Sequence, residues 1–335
     1  MKKANRIFVL FMVCIIPVIG LMGCATTTQT KTLRFADVGW DSILFHNAVA
    51  GTVAEAVFGY QWTEVSGSTP ITHEAVKKGE IDVHMEVWTD NIATYEDDIA
   101  EGKLKEIGVN FDDNAQGLYV PRYVIEGDST RGIEPMAPDL KTVADLKDYA
   151  HLFKDPEDPS KGILYSGMVG WEITEIIEKK YLHYGLDAYY NYIEPGTDAV
   201  TNAVLVAAYD KGAPVVAYYW EPTWLLGKYD FVLLEDEPYN PELYHQGKTA
   251  CPSVRVTICT SNEFYKSDPE FIAFLSKYHT SSALTNEALA YIEDTGTDHK
   301  TAAIWFLKEH RDIVETWLTV EQAEALYAAI GKEVV

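Results

Sequence analysis

Short apolar runs alternate with amphipathic stretches through the first part of the chain. Apolar runs of strand length are separated by stretches whose apolar residues recur at helical spacing. The runs lie at 33–38, 60–65 and 81–88, and the helical stretches at 42–58 and 72–79. The order strand, helix, strand, helix, strand predicts a parallel sheet with right-handed crossovers.

A second block repeats this order further along the chain. Its predicted strands and helices alternate at 163–168, 171–184, 189–193, 197–211 and 214–220. A long extended run at 118–125 joins the two blocks, and we interpret it as a strand that crosses between two lobes. Two such blocks predict an α/β protein with two β-α-β lobes and a cleft between them, where ligand pockets are frequent.

The last third of the chain is expected to complete the first lobe. Residues 225–234 are interpreted as the return of the chain, and 253–260 as a strand added there. Further helices are predicted at 269–277, 286–294, 300–309 and 320–330. The predicted lobe limits are 33–118 with 222–335 for the first lobe, and 119–221 for the second.

The first 23 residues have the pattern of a secretory signal. Lys2, Lys3 and Arg6 precede an apolar stretch at 7–20. The sequence LMGC at 21–24 follows and resembles a bacterial lipobox, which implies cleavage before Cys24 and a lipid on its thiol. An ordinary N-terminal transmembrane anchor is the alternative. Either reading predicts an extracytoplasmic protein tethered to a bacterial membrane, with 24–32 as a polar spacer.

The net charge limits the kinds of partner, and the spacing of the cysteines indicates whether they form a disulfide. The 335 residues carry a formal net charge of −24, which argues against nucleic acid and against anionic membrane surfaces. Cys251 and Cys259 could form a disulfide outside the cytoplasm. The apolar stretch between them reads as one strand, which would hold them too far apart and favours two thiols.

Tryptophans recur where predicted strands end. Trp220 follows the apolar run 214–219, and a Glu–Pro step then stops the strand. Trp40, Trp88 and Trp171 lie in the same kind of position, beside or just after a strand end. Ligands of open α/β sheets bind at the carboxyl ends of strands. A lone tryptophan there is usually core packing, but four repeats, with Tyr119 on the crossing segment, favour a shared cleft.

Several aromatic faces suit a ligand that is charged and has no N–H to donate. A quaternary ammonium ion fits this description, and each ring face contributes on the order of 0.5–2 kcal/mol of cation–π attraction. Neighbouring carboxylates can offset a bare cation such as choline; these are Asp41, Glu86, Asp90, Glu172 and Glu221. A ligand with its own carboxylate needs hydrogen-bond donors instead. The candidate donors are the helix start at 170–172, His46 and Asn91.

An ordered set of short motifs carries a family resemblance. The motifs are FADVGWD at 35–41, EVWTDN at 86–91, GLYVP at 117–121, GWE at 170–172 and YWEP at 219–222. Over 33–330 the chain resembles the substrate-binding proteins of glycine betaine, choline and proline-betaine ABC importers. The resemblance implies a two-lobed type II periplasmic-binding-protein fold and a tryptophan/tyrosine box around a methylated ammonium group. The predicted ligand-binding residues are Trp40, Trp88, Tyr119, Trp171, Trp220, Asp41, His46 and Glu172.

The expected function is therefore a receptor without catalytic residues, cofactor or metal site. The sequence has no GxxxxGK[ST] motif, so a membrane permease and its ATPase are expected to be separate partners. One alternative is a lipoprotein hydrolase or glycosidase, since paired carboxylates are plentiful although GxSxG, SxxK and HExxH motifs are not found. Another is a binding protein for a different small cationic metabolite, which usually needs an Arg and Asp clamp.

Overall fold

The structure is a computed structural model, and it describes residues 31–331. The predicted signal at 1–23, the lipid site Cys24 and nearly all of the spacer lie outside the described residues. The helices among residues 31–331 include none long and apolar enough to cross a membrane.

The described chain folds into ten strands and fifteen α-helices. The strands are β1 Thr32–Asp37, β2 Gln61–Ser66, β3 Val83–Trp88, β4 Lys105–Phe111, β5 Gln116–Pro121, β6 Gly162–Tyr165, β7 Tyr190–Ile193, β8 Ala217–Trp220, β9 Phe231–Leu233 and β10 Val256–Thr260. The helices are α1 Asp41–Phe58, α2 Thr69–Lys78, α3 Tyr95–Ala100, α4 Arg122–Glu126, α5 Leu146–Tyr149, α6 Glu172–His183, α7 Asp198–Lys211, α8 Trp224–Lys228, α9 Pro241–Tyr244, α10 Asn262–Ser267, α11 Pro269–Leu275, α12 Ser282–Thr295, α13 His299–Glu309, α14 Arg311–Trp317 and α15 Val320–Ile330.

The first sheet has five strands in the order β2-β1-β3-β10-β4. Strand β1 is parallel to β2 and to β3, which confirms the strand-helix-strand alternation predicted for this block. Strand β10 is antiparallel to both β3 and β4. The late strand β10 therefore brings the chain back into the first sheet, and the C-terminal helices follow it.

The second sheet repeats this arrangement in the order β7-β6-β8-β5-β9. Strand β6 is parallel to β7 and β8, while β5 is antiparallel to β8 and β9. The structure differs from the expectation at 225–234, because β9 pairs with β5 through Val232 and Val120. The chain thus stays with the second sheet beyond residue 222, and it returns to the first sheet only with β10.

Side-chain caps explain where several helices begin. In α15, the Thr319 hydroxyl accepts from the backbone N–H of Gln322 and the Gln322 side chain accepts from the Thr319 N–H, which confirms the predicted capping box. Thr142 and Asp145 form a second box before α5. Helix α1 ends at Gly59, whose φ of 72° is a left-handed conformation that glycine adopts without steric cost.

The two cysteines of the described chain are free thiols, as the sequence favoured. Cys259 lies in β10 with its sulfur 3.3 Å from the hydroxyl oxygen of Tyr95. Burial raises the pKa of Cys251 to about 11 and that of Cys259 to about 12. Both side chains are therefore neutral thiols at physiological pH.

Candidate ligand-binding site

A cavity that is partly open to solvent lies where strand and helix ends of the two sheets meet. The first lobe supplies lining residues from the start of α1 and α2 and from the end of β3, and the second supplies them from α6 and β8. The lining consists of Trp40, Thr69, His84, Glu86, Val87, Trp88, Asn91, Ile92, Trp171, Glu172, Ile173, Tyr218 and Trp220.

Three of the tryptophans form a chain of perpendicular rings. Trp171 packs against Trp40 with ring centroids 5.2 Å apart and an interplanar angle of 88°. It also packs against Trp220 at 4.9 Å and 84°. Tyr218 is stacked with Trp220 at 6.1 Å and 18°. Edge-to-face pairs are favourable, so the rings fix one another's orientation around the cavity.

A fully buried carboxyl group lies among these rings. Glu86, with 0% exposure, accepts hydrogen bonds at Oε1 from the Ser42 hydroxyl at 2.9 Å and the Trp88 indole N–H at 3.0 Å. Burial raises the pKa of Glu86 to about 8, against the lowering effect of these hydrogen bonds. Its Oε2 atom and the indole nitrogen of Trp40 are buried without a hydrogen bond of ordinary geometry to the described chain.

Polar side chains join the two lobes behind the rings. The Asn91 and Gln116 amides exchange hydrogen bonds of 3.3 and 3.4 Å. The hydroxyl of Tyr218 donates to Gln116 Oε1 at 3.0 Å, and that of Tyr244 donates to Asn91 Oδ1 at 2.5 Å. The Asn91 and Gln116 amides are thus hydrogen-bonded to each other and to tyrosine hydroxyls. The network fixes the end of β3 against β5 and β8.

Two further hydrogen bonds join the lobes at the edge of the cavity. The Trp171 indole N–H donates to the backbone carbonyl of Val38 at 3.1 Å. The backbone N–H of Thr69 donates to the carbonyl of Gly170 at 3.2 Å. Gly170 has a φ of 89°, and a Cβ atom there would lie 2.8 Å from the Cβ of Ser68. The close approach of the lobes at this point therefore requires glycine.

The structure brings together five of the eight predicted ligand-binding residues. Trp40, Trp88, Trp171, Trp220 and Glu172 all line the cavity. Asp41 lies instead in a smaller neighbouring cavity, which shares Trp220 and is also lined by Asp198. The ligand-binding roles of these residues remain predictions.

Tyr119 and His46 lie elsewhere. Tyr119 is opposite Ala217 in the β5–β8 register, three positions from the strand end that holds Trp220, and is buried in the core with 4% exposure. His46 has 0% exposure, and its Nδ1 lies 2.8 Å from the Tyr278 hydroxyl. Burial lowers the pKa of His46 to about 3, so it is a neutral core histidine and does not contact the cavity.

Among the lining residues that the sequence did not predict are Glu86, considered only as a nearby carboxylate, and His84 and Tyr218. A signal for them exists. Side chains two positions apart on a strand share a face. On β3 the positions 84, 86 and 88 therefore share a face, as do 218 and 220 on β8, and in each strand the last position is a tryptophan.

Groups of three or more His, Cys, Asp or Glu suited to a metal ion are not found between residues 31 and 331. The polar and aromatic part of the lining consists of aromatic rings, one buried carboxyl group, one half-buried carboxyl group, the His84 imidazole, the Thr69 hydroxyl and the Asn91 amide. Two five-stranded lobes with a cavity between them are the arrangement of two-lobed solute-binding proteins.

Solved structures with this fold support that class. A choline binding protein of an ABC transporter, solved with choline, has a TM-score of 0.69 and 22% identity, with 90% of this chain and 98% of that chain covered. ProX from Borrelia burgdorferi has a TM-score of 0.67 at 20% identity, covering 88% and 100%. Lactococcal OpuAC with glycine betaine has a TM-score of 0.67 at 17% identity, covering 86% and 99%. At these identities the likeness shows the shared type II periplasmic-binding-protein fold.

Sequence comparison gives the family. The OpuAC family, described as the substrate binding domain of ABC-type glycine betaine transport systems, matches residues 31–309. The chain is also 28% identical over 151 residues to ORF1 of Chromohalobacter salexigens, covering 45% of this chain and 86% of that protein. This chain belongs to the OpuAC family of ABC-transporter substrate-binding domains, which is a transport family and not an enzyme class.

Proposed function

We propose that this chain binds a quaternary-ammonium compound, such as glycine betaine, choline or a relative, in the cavity between its lobes. One observation carries the proposal: Trp40, Trp88, Trp171 and Trp220, two from each lobe, line one cavity with a buried carboxyl group. Lys and Arg are not among the lining residues, so ring faces and carboxyl groups are left to meet a cation.

The ring faces can supply a large part of the binding free energy that a micromolar affinity requires. Three or four faces at about 0.5–2 kcal/mol each supply much of the roughly 8 kcal/mol that a micromolar dissociation constant requires. Burial of the methyl groups against indole carbons contributes the rest. The ligand-binding residues in this proposal are Trp40, Trp88, Trp171, Trp220, Tyr218 and Glu86, with Glu172 at the rim.

Transport requires partner proteins, and this chain would meet the permease at the outer side of the membrane. We propose that it delivers its ligand to an ABC permease driven by a separate ATPase. The LMGC sequence at 21–24 supports cleavage after residue 23 and a lipid on Cys24, which would hold the protein at the outer face of a bacterial membrane. A Cys24→Ala variant should no longer be found in the membrane fraction, and this measurement tests the lipid anchor.

Tryptophan fluorescence tests the ligand class directly, because four indoles line the cavity. Titration with glycine betaine, choline, carnitine and trimethylamine N-oxide is expected to give a saturable change with at least one of them. Arginine and glucose serve as controls and are expected to give none. Saturable binding of arginine or glucose alone would contradict the proposal.

A further inference from the structure

The carboxyl group of Glu86 has features of a site for positive charge. Its Oε1 accepts hydrogen bonds from Ser42 and Trp88, so the group is oriented as an acceptor. Its Oε2 is buried without a hydrogen bond of ordinary geometry, although the Trp40 indole N–H interacts with the carboxyl group, and the Glu86 side chain lines the cavity. A buried carboxyl oxygen without a well-formed hydrogen bond is costly, and a ligand cation at this point would offset the cost.

The groups around Glu86 provide no compensating positive charge. On β3, His84 lines the cavity and its Nδ1 accepts from the Glu86 backbone N–H at 3.3 Å; burial lowers the pKa of His84 to about 3. On α1, His46 is neutral for the same reason. Tyr278 packs behind it, and its pKa is raised by burial and also by the Glu86 charge.

The second lobe faces the cavity with neutral or acidic groups only. Tyr218 on β8 is neutral, because burial raises its pKa well above the usual value. Glu172 at the start of α6 is half-buried, and burial together with nearby Glu175 raises the pKa of its carboxyl group. A ligand carboxylate inside this cavity would therefore meet two carboxyl groups and no Lys or Arg side chain of the lining.

We propose that Glu86 selects the charge type of the ligand, so that the cavity prefers a quaternary ammonium ion without a carboxylate, such as choline, over a zwitterion such as glycine betaine. The proposal rests on the proposed function, since it concerns the same cavity. Glu86 acts as the counter-ion, while the tryptophan rings surround the methyl groups. A ligand carboxylate is disfavoured because it would lie close to the Glu86 carboxyl group, which becomes negatively charged when the ammonium group binds.

Selection by Glu86 couples binding to protons. Because its pKa in the free protein is about 8, Glu86 is mostly protonated at pH 7. A bound cation stabilises the ionised form, so binding releases a proton below pH 8. Affinity for choline should then rise up to about tenfold per pH unit between pH 6 and pH 8, and become constant above the free-protein pKa.

Isothermal titration calorimetry in buffers of different ionisation enthalpy measures both the preference for choline over glycine betaine and the release of a proton on binding. Choline and glycine betaine are titrated at pH 6, 7, 8 and 9 into the wild type, Glu86→Gln and the control Glu175→Gln, whose side chain is exposed on α6. In the wild type and the control we expect choline to bind at least tenfold more tightly than glycine betaine at pH 8, with proton release at pH 7. In Glu86→Gln we expect at least tenfold weaker choline binding at pH 8 and no pH dependence between pH 6 and pH 8.

Three outcomes separate the possible failures. Tighter binding of glycine betaine than of choline in the wild type overturns charge selection but leaves the proposed function intact. So does glycine betaine binding that weakens as pH rises through 8, because Glu86 would then be a protonated donor to the ligand carboxylate. Absence of binding by every quaternary ammonium compound overturns the proposed function and this inference together. The pH profile of the wild type gives an answer even if Glu86→Gln fails to fold.

Discussion

The indole N–H of Trp171 donates a 3.1 Å hydrogen bond to the backbone carbonyl of Val38, which joins the second lobe to the first. The same indole ring packs edge-to-face against Trp40 and Trp220. Trp171 thus has two separable functions in the proposed site. Its ring forms a wall of the cavity, and its N–H stabilises the arrangement in which both lobes contribute walls.

Trp171→Phe separates these functions, since it keeps an aromatic face and removes the N–H donor. Loss of one net hydrogen bond of about 1 kcal/mol should weaken ligand affinity about fivefold to tenfold in calorimetric titration. The matched control is Trp62→Phe, because Trp62 packs on Phe35 with centroids 5.9 Å apart, away from the cavity. Equal affinities of Trp171→Phe and the wild type would show that this hydrogen bond does not support binding.

Trp220 and Trp317 provide a matched pair of tryptophans for alanine substitution. Trp220 lines the cavity, whereas Trp317 is 1% exposed in the first lobe and packs on Tyr278 at 4.5 Å. Trp220→Ala should weaken ligand binding at least a hundredfold. Trp317→Ala should leave binding within a few-fold of wild type and lower the free energy of unfolding by about 3–5 kcal/mol in urea denaturation. The reverse pattern would make Trp220 a core residue.

Asp198 should make stability depend on pH. Burial, and then the neighbouring Asp41 charge, raise the pKa of Asp198 to about 7 in the folded protein. The folded state therefore binds this proton more tightly than the unfolded state, and stability falls as pH rises from about 4 to 7. Asp198→Asn should raise the free energy of unfolding at pH 8 by on the order of 1–3 kcal/mol, and change it little at pH 4.

Thermal denaturation of the wild type and of Asp198→Asn at pH 4 and pH 8 measures how the stabilisation depends on pH. Asp210→Asn is the control, because Asp210 is exposed on the same helix and should show no such pH-dependent gain. A stabilisation of Asp198→Asn that is the same at both pH values would contradict the assignment to the Asp198 charge.

The buried ion pair of Lys180 with Asp236 holds the segment after β9 against α6. Lys180 also donates to the Thr249 carbonyl at 2.5 Å, and its side chain is 2% exposed. Lys180→Met leaves the Asp236 carboxylate buried without its cation, so unfolding free energy should fall by about 3–5 kcal/mol. Lys179→Met, at an exposed neighbouring position, should change it by less than about 0.5 kcal/mol. Similar effects of both variants in urea denaturation would contradict this account.

The fold was predictable where local pattern and tertiary structure agree. Strands β1, β3 and β10 are apolar runs with turn residues at their ends, and they form where expected. Strand β4 is absent from the sequence prediction although Ile107, Val109 and Phe111 alternate with Glu106, Gly108 and Asn110; it is a half-buried strand at the edge of the first sheet. The sequence predicts an extended run throughout 118–125, yet the chain turns into the short helix α4 at Arg122, where Tyr123 and Val124 are buried.

The residues of the candidate site that lie at strand ends were predictable from the sequence. Trp88 and Trp220 are the last residues of β3 and β8, which is visible in the sequence. Tyr119 is aromatic and near an expected crossing, but its position in the register of β5 is a tertiary property. The paired position of Asp41 and Asp198, in contrast, depends on how α1 and α7 approach one another, which no local pattern encodes.

The central claim is that aromatic rings in this cavity bind a methylated ammonium group through its positive charge. The most direct measurement compares each ligand with its neutral-carbon isostere in one calorimetric experiment: choline with 3,3-dimethylbutan-1-ol, and glycine betaine with 3,3-dimethylbutanoate. The shapes match, and only the positive charge differs. We predict that at least one ammonium compound binds a hundredfold or more tightly than its isostere. Equal affinities within each pair would contradict cation–π recognition.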